Sequence, residues 1–587
     1  MKMLLTAVNA KYIHSNPAVY SLKAYASQFG DQIGIAEYTI NNRTEAILAD
    51  LYRQAPQAIA FSCYIWNFRQ IRELLTELPK ILPGTELWLG GPEVSYDAEQ
   101  VMHEFPQLTG IMVGEGEETF LELMRHYCEG EPALPEIRGL CLRGGMTGAR
   151  ELTNLDRIPF FYRDYEGDCT CSKEKGDAGD FRNNGNDNSV ANPFRNRIIY
   201  YESSRGCPYR CSYCLSSIDK TVRFRPIDTV KRELSFFLEK KVPQVKFVDR
   251  TFNCNHTHAM EVWRYLLDHD NGVTNFHFEI AADIINEEEL NLLHAMRPGL
   301  VQLEIGVQST NPETLREIRR TMDVDRLRYV VERIRQGKNI HIHLDLIAGL
   351  PYEDYDSFGR SFDEVYTMRP SQLQLGFLKV LKGSHMYEKA KEYGIIYRSE
   401  PPYEVLYSRW LPYDKVLALK RIEEVVELYY NSGQFTHTLA VLEQEYDSPF
   451  RMFECLAQYY ENKGYFTNSP SRAYRYEILL QFVSEERPEQ AALFRELLTC
   501  DMYLREKCKS RPSFSPELSP YRQVLRQAEE RPDFHKTDHL EVFTYRVWES
   551  DAEEIRRTCH KPTIVRFSYE NRSPLDHNAS LYIVAEV

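Results

Sequence analysis

Two periods of hydrophobic and polar positions alternate along the first part of the chain. Short apolar runs, typical of buried strands, are separated by amphipathic stretches with helical periodicity. Strands that alternate with helices in this way predict an open, mostly parallel α/β sheet. Ligands of such sheets bind beyond the carboxyl ends of the strands, so the polar loops that follow these runs are candidate binding loops. The runs lie at 3–8, 33–38, 58–64, 86–91 and 110–115.

A second set of strand-like runs begins near residue 197 and again alternates with helical stretches. Six such units predict a partial (β/α)6 barrel, whose site lies at the carboxyl ends of its strands. Beyond residue 390 the pattern becomes helical and tyrosine-rich, with a few strand-like runs near the end and no chemical motif. The six runs are 197–204, 245–250, 276–282, 301–309, 341–351 and 373–381.

These patterns predict four segments. An α/β domain at 1–135 precedes a linker or insertion at 136–196, a barrel at 197–390 and a mainly helical domain at 391–587. The stretch from 176 to 194 is rich in Gly, Asn and Asp and has almost no apolar periodicity, so we expect the insertion to be partly disordered.

Composition narrows the class of protein. Of the 587 residues 43% are hydrophobic and 27% are charged, and no apolar run approaches the twenty residues that a membrane span requires. The first ten residues lack the flanks of a secretory signal, so we expect a cytoplasmic protein. The net charge of −15 disfavours a nonspecific nucleic-acid binder, although it does not exclude a local basic patch.

Three of the thirteen cysteines fall within eight positions. An odd number of cysteines without a secretory signal favours reduced thiols over a disulfide framework. Cys207, Cys211 and Cys214, in RGCPYRCSYC, follow the first strand of the second set. Thiolates suit zinc or an iron–sulfur cluster, and four usually close a structural site. Either Cys254 supplies the fourth ligand, or one metal position stays open. Three thiols close together on one loop suit one face of a cubane iron–sulfur cluster, whereas zinc sites favour Cys-x-x-Cys pairs.

The spacing Cys207-x-x-x-Cys211-x-x-Cys214, with Tyr213 before the last cysteine, resembles the radical S-adenosylmethionine (radical SAM) superfamily. The resemblance implies that the three cysteines bind a [4Fe–4S] cluster and that S-adenosylmethionine chelates the open iron. In that family the reduced cluster cleaves S-adenosylmethionine to methionine and a 5′-deoxyadenosyl radical.

The resemblance also implies contacts to S-adenosylmethionine. The candidates lie beside the three cysteines, at the end of the second strand of the barrel, on the fourth strand and in the turn of the fifth strand. Those on strands two and four have an alternative interpretation as polar residues of the barrel interior, which side chains fill. The candidates are Tyr213, Asp249, Arg250, Glu304, Gln308 and Gly349.

An α/β sheet ahead of such a barrel resembles the cobalamin-dependent members. It implies a Rossmann-like (flavodoxin-like) domain of the B12-binding type, in which glycines let a large macrocycle approach the backbone. The usual Asp-x-His-x-x-Gly signature is missing: His14 lies in the corresponding loop, but its neighbours differ from the signature. A histidine outside this signature is more often a hydrogen-bonding group than a cobalt ligand. The alternative is a domain that binds nothing or docks a protein. The candidates are His14, Ser62, Asn67, Gly90, Gly91, Gly114 and Glu115.

The leading hypothesis is therefore a cobalamin-dependent radical SAM enzyme that methylates an unactivated carbon, supplied with electrons by a low-potential donor of the flavodoxin or ferredoxin type. One alternative is a methylthiotransferase-like or other radical enzyme without cobalamin. Methylthiotransferases carry three further cluster cysteines in the first domain, whereas Cys63, Cys128 and Cys141 are scattered along this one. Another is a noncatalytic cobalamin or cluster sensor. The sequence identifies neither the substrate nor a residue that acts on it.

Overall fold

The computed structural model describes residues 2–165, 194, 197–549 and 551–587. The stretch at 176–194, predicted to be disordered, lies outside the described residues except for Phe194. The chain forms two compact units. Unit 1 comprises Met1–Val301, Glu317–Thr321 and Leu378–Leu406, and unit 2 comprises Gln302–Arg316, Met322–Phe377 and Tyr407–Val587.

The first sheet of unit 1 has the strand order β2-β1-β3-β4-β5-β6-β7. Strands β1 to β5 pair in parallel, and β6 and β7 extend the edge antiparallel. The order 2-1-3-4-5 is that of flavodoxin-like sheets, which change direction between β1 and β3. The strands are β1 (Met3–Asn9), β2 (Ile33–Thr39), β3 (Ala58–Ser62), β4 (Glu86–Gly90), β5 (Leu108–Met112), β6 (Leu140–Leu142) and β7 (Gly145–Met146).

Helices cover both faces of this sheet, which explains its continuous apolar runs. Every residue of β1 is buried: Leu4 and Val8 belong to the core on one face, whereas Met3, Leu5 and Ala7 belong to the core on the other. The helices are α1 (Pro17–Tyr25), α2 (Thr44–Gln54), α3 (Phe68–Ile81), α4 (Pro92–Ser95), α5 (Ala98–Glu104) and α6 (Glu117–Glu129).

The second sheet has the strand order β15-β14-β13-β12-β11-β8, in reverse sequence order. The β8, β11 and β12 ladders of unit 1 are parallel, as are those of β13, β14 and β15, which belong to unit 2 except for Val301. A two-stranded hairpin, β9 with β10, follows β8. The strands are β8 (Ile198–Tyr201), β9 (Ser204–Arg205), β10 (Arg223–Phe224), β11 (Gln244–Phe247), β12 (Asn275–Ile280), β13 (Val301–Gln308), β14 (His341–Ala348) and β15 (Gln372–Phe377).

The strands of this sheet are connected by helices, as a βα repeat requires. Residues alternate between buried and half-buried along β13 and β14, so one face of each strand is apolar and the other is polar. The helices of this region are α7 (Ile227–Glu239), α8 (His256–Asp268), α9 (Glu287–His294), α10 (Pro312–Glu317), α11 (Val324–Gln336) and α12 (Tyr355–Thr367).

The remaining chain is mostly helical. A short segment, α13 (His385–Lys389), β16 (Ile396–Tyr397) and β17 (Val405–Tyr407), returns to unit 1 before the helices of unit 2 begin. The chain ends with an antiparallel sheet of three strands. Its elements are α14 (Tyr413–Val426), α15 (Thr436–Leu442), α16 (Pro449–Lys463), α17 (Arg472–Glu486), α18 (Ala491–Arg505), α19 (Arg522–Glu529), β18 (His539–Tyr545), α20 (Ala552–Ile555), β19 (Thr558–Ser568) and β20 (Ser580–Glu586).

The predicted fold class is confirmed: a flavodoxin-like domain, a partial barrel of six parallel-type strands and a helical C-terminal region with a few strands. The sequence did not predict β6 and β7, which are too short to show a period. It also extended β11 and β14 too far, since Asp249, Arg250 and Gly349 lie in the turns after these strands. Among the described residues, no helix has the length and apolarity to cross a membrane.

Candidate functional site

The three clustered cysteines lie on one loop, residues 206–222, which the β9–β10 hairpin closes; we call it the cysteine loop. Gly206 has φ +103°, and a Cβ there would lie 2.4 Å from the Thr221 carbonyl oxygen. A side chain at this position would therefore collide with backbone. Cys207 and Cys211 are buried and Cys214 is half-buried, and all three are free thiols.

Polar groups approach two of the thiols. Cys207 Sγ lies 3.5 Å from Thr251 Oγ1, and the Arg320 guanidinium donates to Cys211 Sγ at 3.7 Å. Burial raises the pKa of Cys207, and the charges of Cys214 and Cys211 raise it further, against the Thr251 hydrogen bond. Burial alone would lower the pKa of Arg320, but the charges of Tyr213 and Cys211 outweigh it and raise the pKa. Arg320 therefore keeps its positive charge beside the thiols.

Sequence reasoning missed Arg320. It follows Glu-Ile-Arg at the end of a helical stretch, where a basic residue normally faces solvent. Nothing in the local pattern distinguishes it from Arg319.

Asp249 is engaged by the backbone and side chains just before the cysteine loop. Its carboxylate accepts hydrogen bonds from Ser203 N, Ser203 Oγ and Ser204 Oγ at 2.9, 2.6 and 2.6 Å. His258 Nε2 lies 3.0 Å from Ser203 Oγ and extends this network. Asp249, predicted to contact S-adenosylmethionine, therefore fixes in this structure the strand end that leads into the cysteine loop.

The other two candidates of unit 1 differ in exposure. Burial raises the pKa of Tyr213, and the charge of Arg320 opposes this effect. Arg250 is exposed, with NH1 4.0 Å from Glu279 Oε2. Tyr213 thus belongs to the packed surroundings of the cysteines, whereas the Arg250 side chain can reorient.

The remaining candidates belong to unit 2, at its β13 and β14 strands. Glu304 pairs in register with His343. Gln308 ends β13 with φ +74°, and its buried Oε1 has no hydrogen-bond partner among the described residues. Gly349 follows β14 with φ +89°, a conformation that favours glycine. An unpaired buried amide oxygen at a strand end fits a group that binds a polar ligand.

Glu353, which the sequence did not indicate, lies four residues beyond Gly349. Its carboxyl group is 1% exposed and accepts hydrogen bonds from Ser309 Oγ at 2.6 Å and Ser361 Oγ at 3.0 Å. Burial raises its pKa to about 7 against these two hydrogen bonds. Glu353 ties together the turns that follow β13 and β14.

A cavity of about 730 Å³ opens at the carboxyl ends of β3, β4 and β5 in unit 1. This volume is in the range of small-molecule and cofactor sites. Apolar residues such as Leu5, Leu22 and Ala60 line it, and so do three tyrosines that the sequence did not single out, Tyr64, Tyr96 and Tyr200. Five of the seven predicted cobalamin residues line the cavity: Ser62, Gly90, Gly91, Gly114 and Glu115.

Two of the glycines in the cavity wall have positive φ angles. Gly91 has φ +108°, and a Cβ there would lie 2.6 Å from the Cys63 carbonyl oxygen. Gly114 has φ +80° with open space where its Cβ would be. Backbone therefore forms part of the wall, as the approach of a large flat ligand requires.

His14 and Asn67 do not line the cavity. His14 Nδ1 lies 2.7 Å from Tyr200 Oη, and burial lowers the pKa of the imidazole. Asn67 Nδ2 donates to the carbonyl oxygens of Val8 and Ser62 at 3.0 and 2.9 Å. The Asn67 amide thus joins the ends of β1 and β3, while His14 supports a tyrosine of the wall.

Glu115 combines a place in the cavity wall with strong ion pairs. It accepts from Arg223 at 2.5 and 3.1 Å and from Thr153 N at 2.7 Å, and Arg205 NH1 lies 3.4 Å from it. Burial would raise its pKa, but Arg223 and Arg205 outweigh this effect and hold the pKa at about 2. Its carboxylate is therefore charged at any physiological pH.

No group of three or more His, Cys, Asp or Glu side chains in the described part of the chain is arranged to hold a single metal ion. The donor set of the cysteine loop nevertheless fits an iron–sulfur cluster, because it offers three soft thiols on one loop that influence one another electrostatically. The backbone walls and volume of the cavity fit a large cofactor in the same way.

Comparison with family models assigns three parts of the chain. Residues 3–124 match the B12 binding domain, and residues 201–365 match the Radical SAM superfamily. Residues 391–567 match a family described as protein of unknown function (DUF4080). The first match contains the five predicted cobalamin residues that line the cavity, and the second contains the cysteine loop.

Two relatives share 25% of their residues with this chain over about half of it. One is the cobalamin-dependent radical SAM methyltransferase TokK of Streptomyces tokunonensis, matched over 321 residues, which are 52% of this chain and 44% of that protein. The other, from Streptantibioticus cattleyicolor, is a 2-(S-pantetheinyl)-carbapenam-3-carboxylate methyltransferase, matched over 313 residues, again 52% and 44%. The chain thus spans about half the length of the relatives it matches.

Two solved structures share the fold. The radical S-adenosylmethionine methyltransferase TsrM of Kitasatospora setae matches with a TM-score of 0.53 at 17% identity, over 69% of this chain and 82% of that one. The cobalamin-dependent S-adenosylmethionine radical enzyme OxsB matches with a TM-score of 0.50 at 15% identity, over 90% and 80%. At these identities the likeness establishes the fold.

Proposed function

We propose that this chain, which belongs to the radical SAM superfamily and to its subclass with a B12-binding domain, is a cobalamin-dependent radical SAM methyltransferase acting on an unactivated carbon. One observation carries the proposal. Unit 1 contains both a loop with three thiols after the first barrel strand and a cavity of about 730 Å³ at the carboxyl edge of the B12-type sheet. A chain with either feature alone would not support both halves of this chemistry.

The cysteine loop would hold a [4Fe–4S] cluster through Cys207, Cys211 and Cys214. When bound, the cluster and S-adenosylmethionine supply a 5′-deoxyadenosyl radical, and the corrinoid supplies the methyl group. Arg320 would place a positive charge beside the Cys211 thiolate and lower the cost of gathering three negative charges. Thr251 would donate a hydrogen bond to the Cys207 thiolate, a contact that tunes cluster potentials.

S-adenosylmethionine would meet polar groups at the strand ends. The Oε1 of Gln308, which has no hydrogen-bond partner in the described part of the chain, offers an acceptor, and the turn at Gly349 offers a backbone without a side chain. Tyr213, Glu304 and Arg250 remain candidates for the same ligand. We assign Asp249 to the support of the cysteine loop, since three hydrogen bonds from Ser203 and Ser204 already engage its carboxylate.

The corrinoid would bind in the cavity, against the backbone of Gly90, Gly91 and Gly114. Leu5 and Ala60 would contact its apolar parts at depth, and the surrounding wall would exclude water. His14 lies outside the cavity lining, and its Nδ1 forms a hydrogen bond with the Tyr200 hydroxyl group. We therefore propose that His14 is not a cobalt ligand.

The alternative of a methylthiotransferase needs three further cluster cysteines in the first domain. Cys63 and Cys141 are buried in the core on one face of the first sheet, whereas Cys128 packs against the core on the other face. A sheet separates them, so these three thiols do not form a common ligand set. This arrangement favours the cobalamin hypothesis over the methylthiotransferase.

Cluster chemistry of this kind requires an external reductant. We propose a low-potential protein of the flavodoxin or ferredoxin type as the electron donor. The substrate is a molecule that the structure does not identify.

An anaerobic reconstitution tests the proposal. The chain is loaded with iron, sulfide and hydroxocobalamin, given S-adenosylmethionine and a low-potential reductant, and separated by gel filtration. We expect one cluster per chain, corrin absorbance that comigrates with the protein, and formation of 5′-deoxyadenosine that a Cys211→Ala variant loses. Protein without corrin absorbance would overturn the cobalamin assignment. Retained cofactors without 5′-deoxyadenosine would favour the sensor.

A further inference from the structure

The hairpin that closes the cysteine loop carries two arginines directly opposite each other. Arg205 on β9 and Arg223 on β10 are antiparallel partners in register. Like charges at opposed positions of antiparallel strands destabilise the pairing. Burial lowers the pKa of Arg223 and the charge of Arg205 lowers it further, but the hydrogen bond and charge of Glu115 outweigh both effects and raise the pKa. The hairpin therefore needs an anion at this point.

Glu115 supplies that anion from the first domain. Its Oε1 lies 2.5 Å from Arg223 NH2 and 3.4 Å from Arg205 NH1, so one carboxylate oxygen contacts both guanidiniums. Its Oε2 accepts a second hydrogen bond from Arg223 at 3.1 Å. The exposed fractions of the Glu115, Arg223 and Arg205 side chains are 18%, 17% and 23%, so solvent screens these pairs only in part.

Neighbouring carboxylates complete the network without bridging the pair. Glu117 and Glu202 each lie 2.8 Å from Arg205 NH2, whereas Asp219 lies 3.1 Å from Arg223 NH2. Each of these pairs with one arginine, and Glu115 pairs with both. Glu115 is therefore the residue whose loss brings back the repulsion between the strands.

Glu115 lies in the loop between β5 and α6, Glu117 is the first residue of α6, and both line the cavity. A ligand seated against Gly114 and Gly116 would order the segment that carries the two carboxylates bound to the hairpin. The cavity wall and the closure of the cysteine loop thus share one short segment, Gly114–Glu117.

We propose that Glu115 and Glu117 are positioning residues for the cysteine loop, so that a ligand in the cavity and a cluster on the three cysteines strengthen each other's binding. This proposal rests on the proposed function for the identity of the two ligands. Coupling of this kind is reciprocal, because each ligand stabilises the conformation that the other requires.

Amide hydrogen exchange of the cluster-free chain tests the positioning role directly. Glu115→Gln keeps the shape of the side chain but removes its charge. We expect exchange in residues 206–222 to become about tenfold faster, an effect between those of losing an exposed and losing a buried ion pair. Asp270→Asn is the matched control: Asp270 forms two hydrogen bonds with Arg297, at 2.7 and 3.1 Å, and is 18% exposed. That variant should leave the exchange of 206–222 unchanged.

A double-mutant cycle separates neutralisation from a general loss of stability. If Glu115 acts by neutralising the opposed arginines, Glu115→Gln should accelerate the exchange of residues 206–222 much less in an Arg223→Gln background than in the natural sequence. Strict additivity of the two changes, or unchanged exchange in Glu115→Gln, would overturn the proposal.

Binding of hydroxocobalamin to chains with and without a reconstituted cluster tests the coupling. We expect the cluster to lower the dissociation constant of hydroxocobalamin in the natural sequence by about 5- to 150-fold. The ratio of the dissociation constants without and with the cluster should fall towards one in Glu115→Gln but not in Asp270→Asn. An equal ratio in all three chains would contradict the coupling. If the natural chain retained no corrinoid, the proposed function and the coupling would fail, while the exchange experiment would still decide the positioning role.

Discussion

The cysteine loop and the cavity of unit 1 are shaped by different kinds of contact. Charged and polar side chains hold the cysteine loop: Asp249 binds the residues before it, Arg320 meets Cys211, and Glu115 neutralises the closing hairpin. The part of the cavity wall at the ends of β3, β4 and β5 instead includes glycine backbone and apolar side chains, and a Cβ at Gly91 would lie 2.6 Å from the Cys63 carbonyl oxygen. The conformation of the cysteine loop therefore depends on polar groups that are present, whereas the shape of the cavity depends on glycines that lack a side chain.

This difference predicts opposite kinds of sensitivity. Deleting a functional group should damage the cysteine loop, whereas adding a group should damage the cavity. The changes below test this contrast in order of decreasing expected effect.

The largest effect is expected for Cys211→Ala. If the three thiols are the protein ligands, as we propose, loss of one should leave the chain without a stable cluster after anaerobic reconstitution. Iron and sulfide analysis with visible absorbance measures this loss. Cys500→Ala removes a buried thiol of unit 2 and should retain the full cluster content, even if the fold is less stable. A full cluster in Cys211→Ala would contradict the ligand assignment.

Gly91→Ala adds a single methyl group to the cavity wall. Its Cβ would lie 2.6 Å from backbone in a left-handed conformation, so we expect a loss of about 1–3 kcal/mol in the free energy of unfolding and weaker corrinoid binding, with the cluster content intact. Urea unfolding and hydroxocobalamin titration measure the two effects. Gly84→Ala is the control, since its Cβ would have nothing within 4 Å. Equal effects of both changes would show that the wall tolerates a side chain.

Glu353→Gln extends the contrast to a buried carboxyl group of unit 2. Burial raises its pKa from 4.5 to about 7, so the folded chain binds this proton more tightly than the unfolded chain. Its contribution to stability is complete below about pH 4.5 and is lost as the pH rises to about 7. Glutamine resembles the protonated form, so the stability of the natural chain should fall relative to the variant by up to about 3 kcal/mol across this window.

Urea unfolding of both chains at several pH values measures this difference. A stability difference that stays constant from pH 4.5 to 8 would show that Glu353 is ionised throughout in the folded chain. Glu364→Gln serves as the control for the loss of a carboxyl group from this part of unit 2, because Glu364 on α12 is half-buried and pairs with Arg328 on α11.

The smallest effect is expected for Glu400→Gln. Glu400 pairs with Arg72 at 3.0 Å, but the two side chains are 48% and 35% exposed, and exposed pairs contribute about 0–1 kcal/mol. Thermal unfolding should therefore change little, and the change should shrink further in high salt. A loss as large as that of Gly91→Ala would show that this pair matters more than its exposure suggests.

The contrast also explains which parts of the site could be predicted. The spacing of Cys207, Cys211 and Cys214 is visible in the sequence because all three thiols lie on one short loop. Glycines after strands could be recognised as candidate wall residues for a similar reason, since strand ends share one edge of a parallel sheet. Both predictions rest on local pattern.

The sequence could not indicate which partners a polar side chain would find in the folded chain. Asp249 sits after a strand, as a ligand-binding residue would, but Ser203 and Ser204 from a neighbouring strand end engage its carboxylate. Asn67 similarly satisfies two carbonyl groups inside the first domain. Arg320 lies more than a hundred positions from Cys211. Such pairings depend on distances between segments that no local period encodes.

The sequence by itself determined the strand and helix order, the fold class and the thiol set, because periodicity and short-range spacing are properties of neighbouring residues. Only the tertiary structure decided which polar groups remain available for a ligand. It brought Glu115 between two arginines that lie at least ninety positions away, and it satisfied Asp249 and Asn67 internally. The physical reason is that buried polar groups must find partners, and those partners are supplied by whichever segments the folded chain brings together.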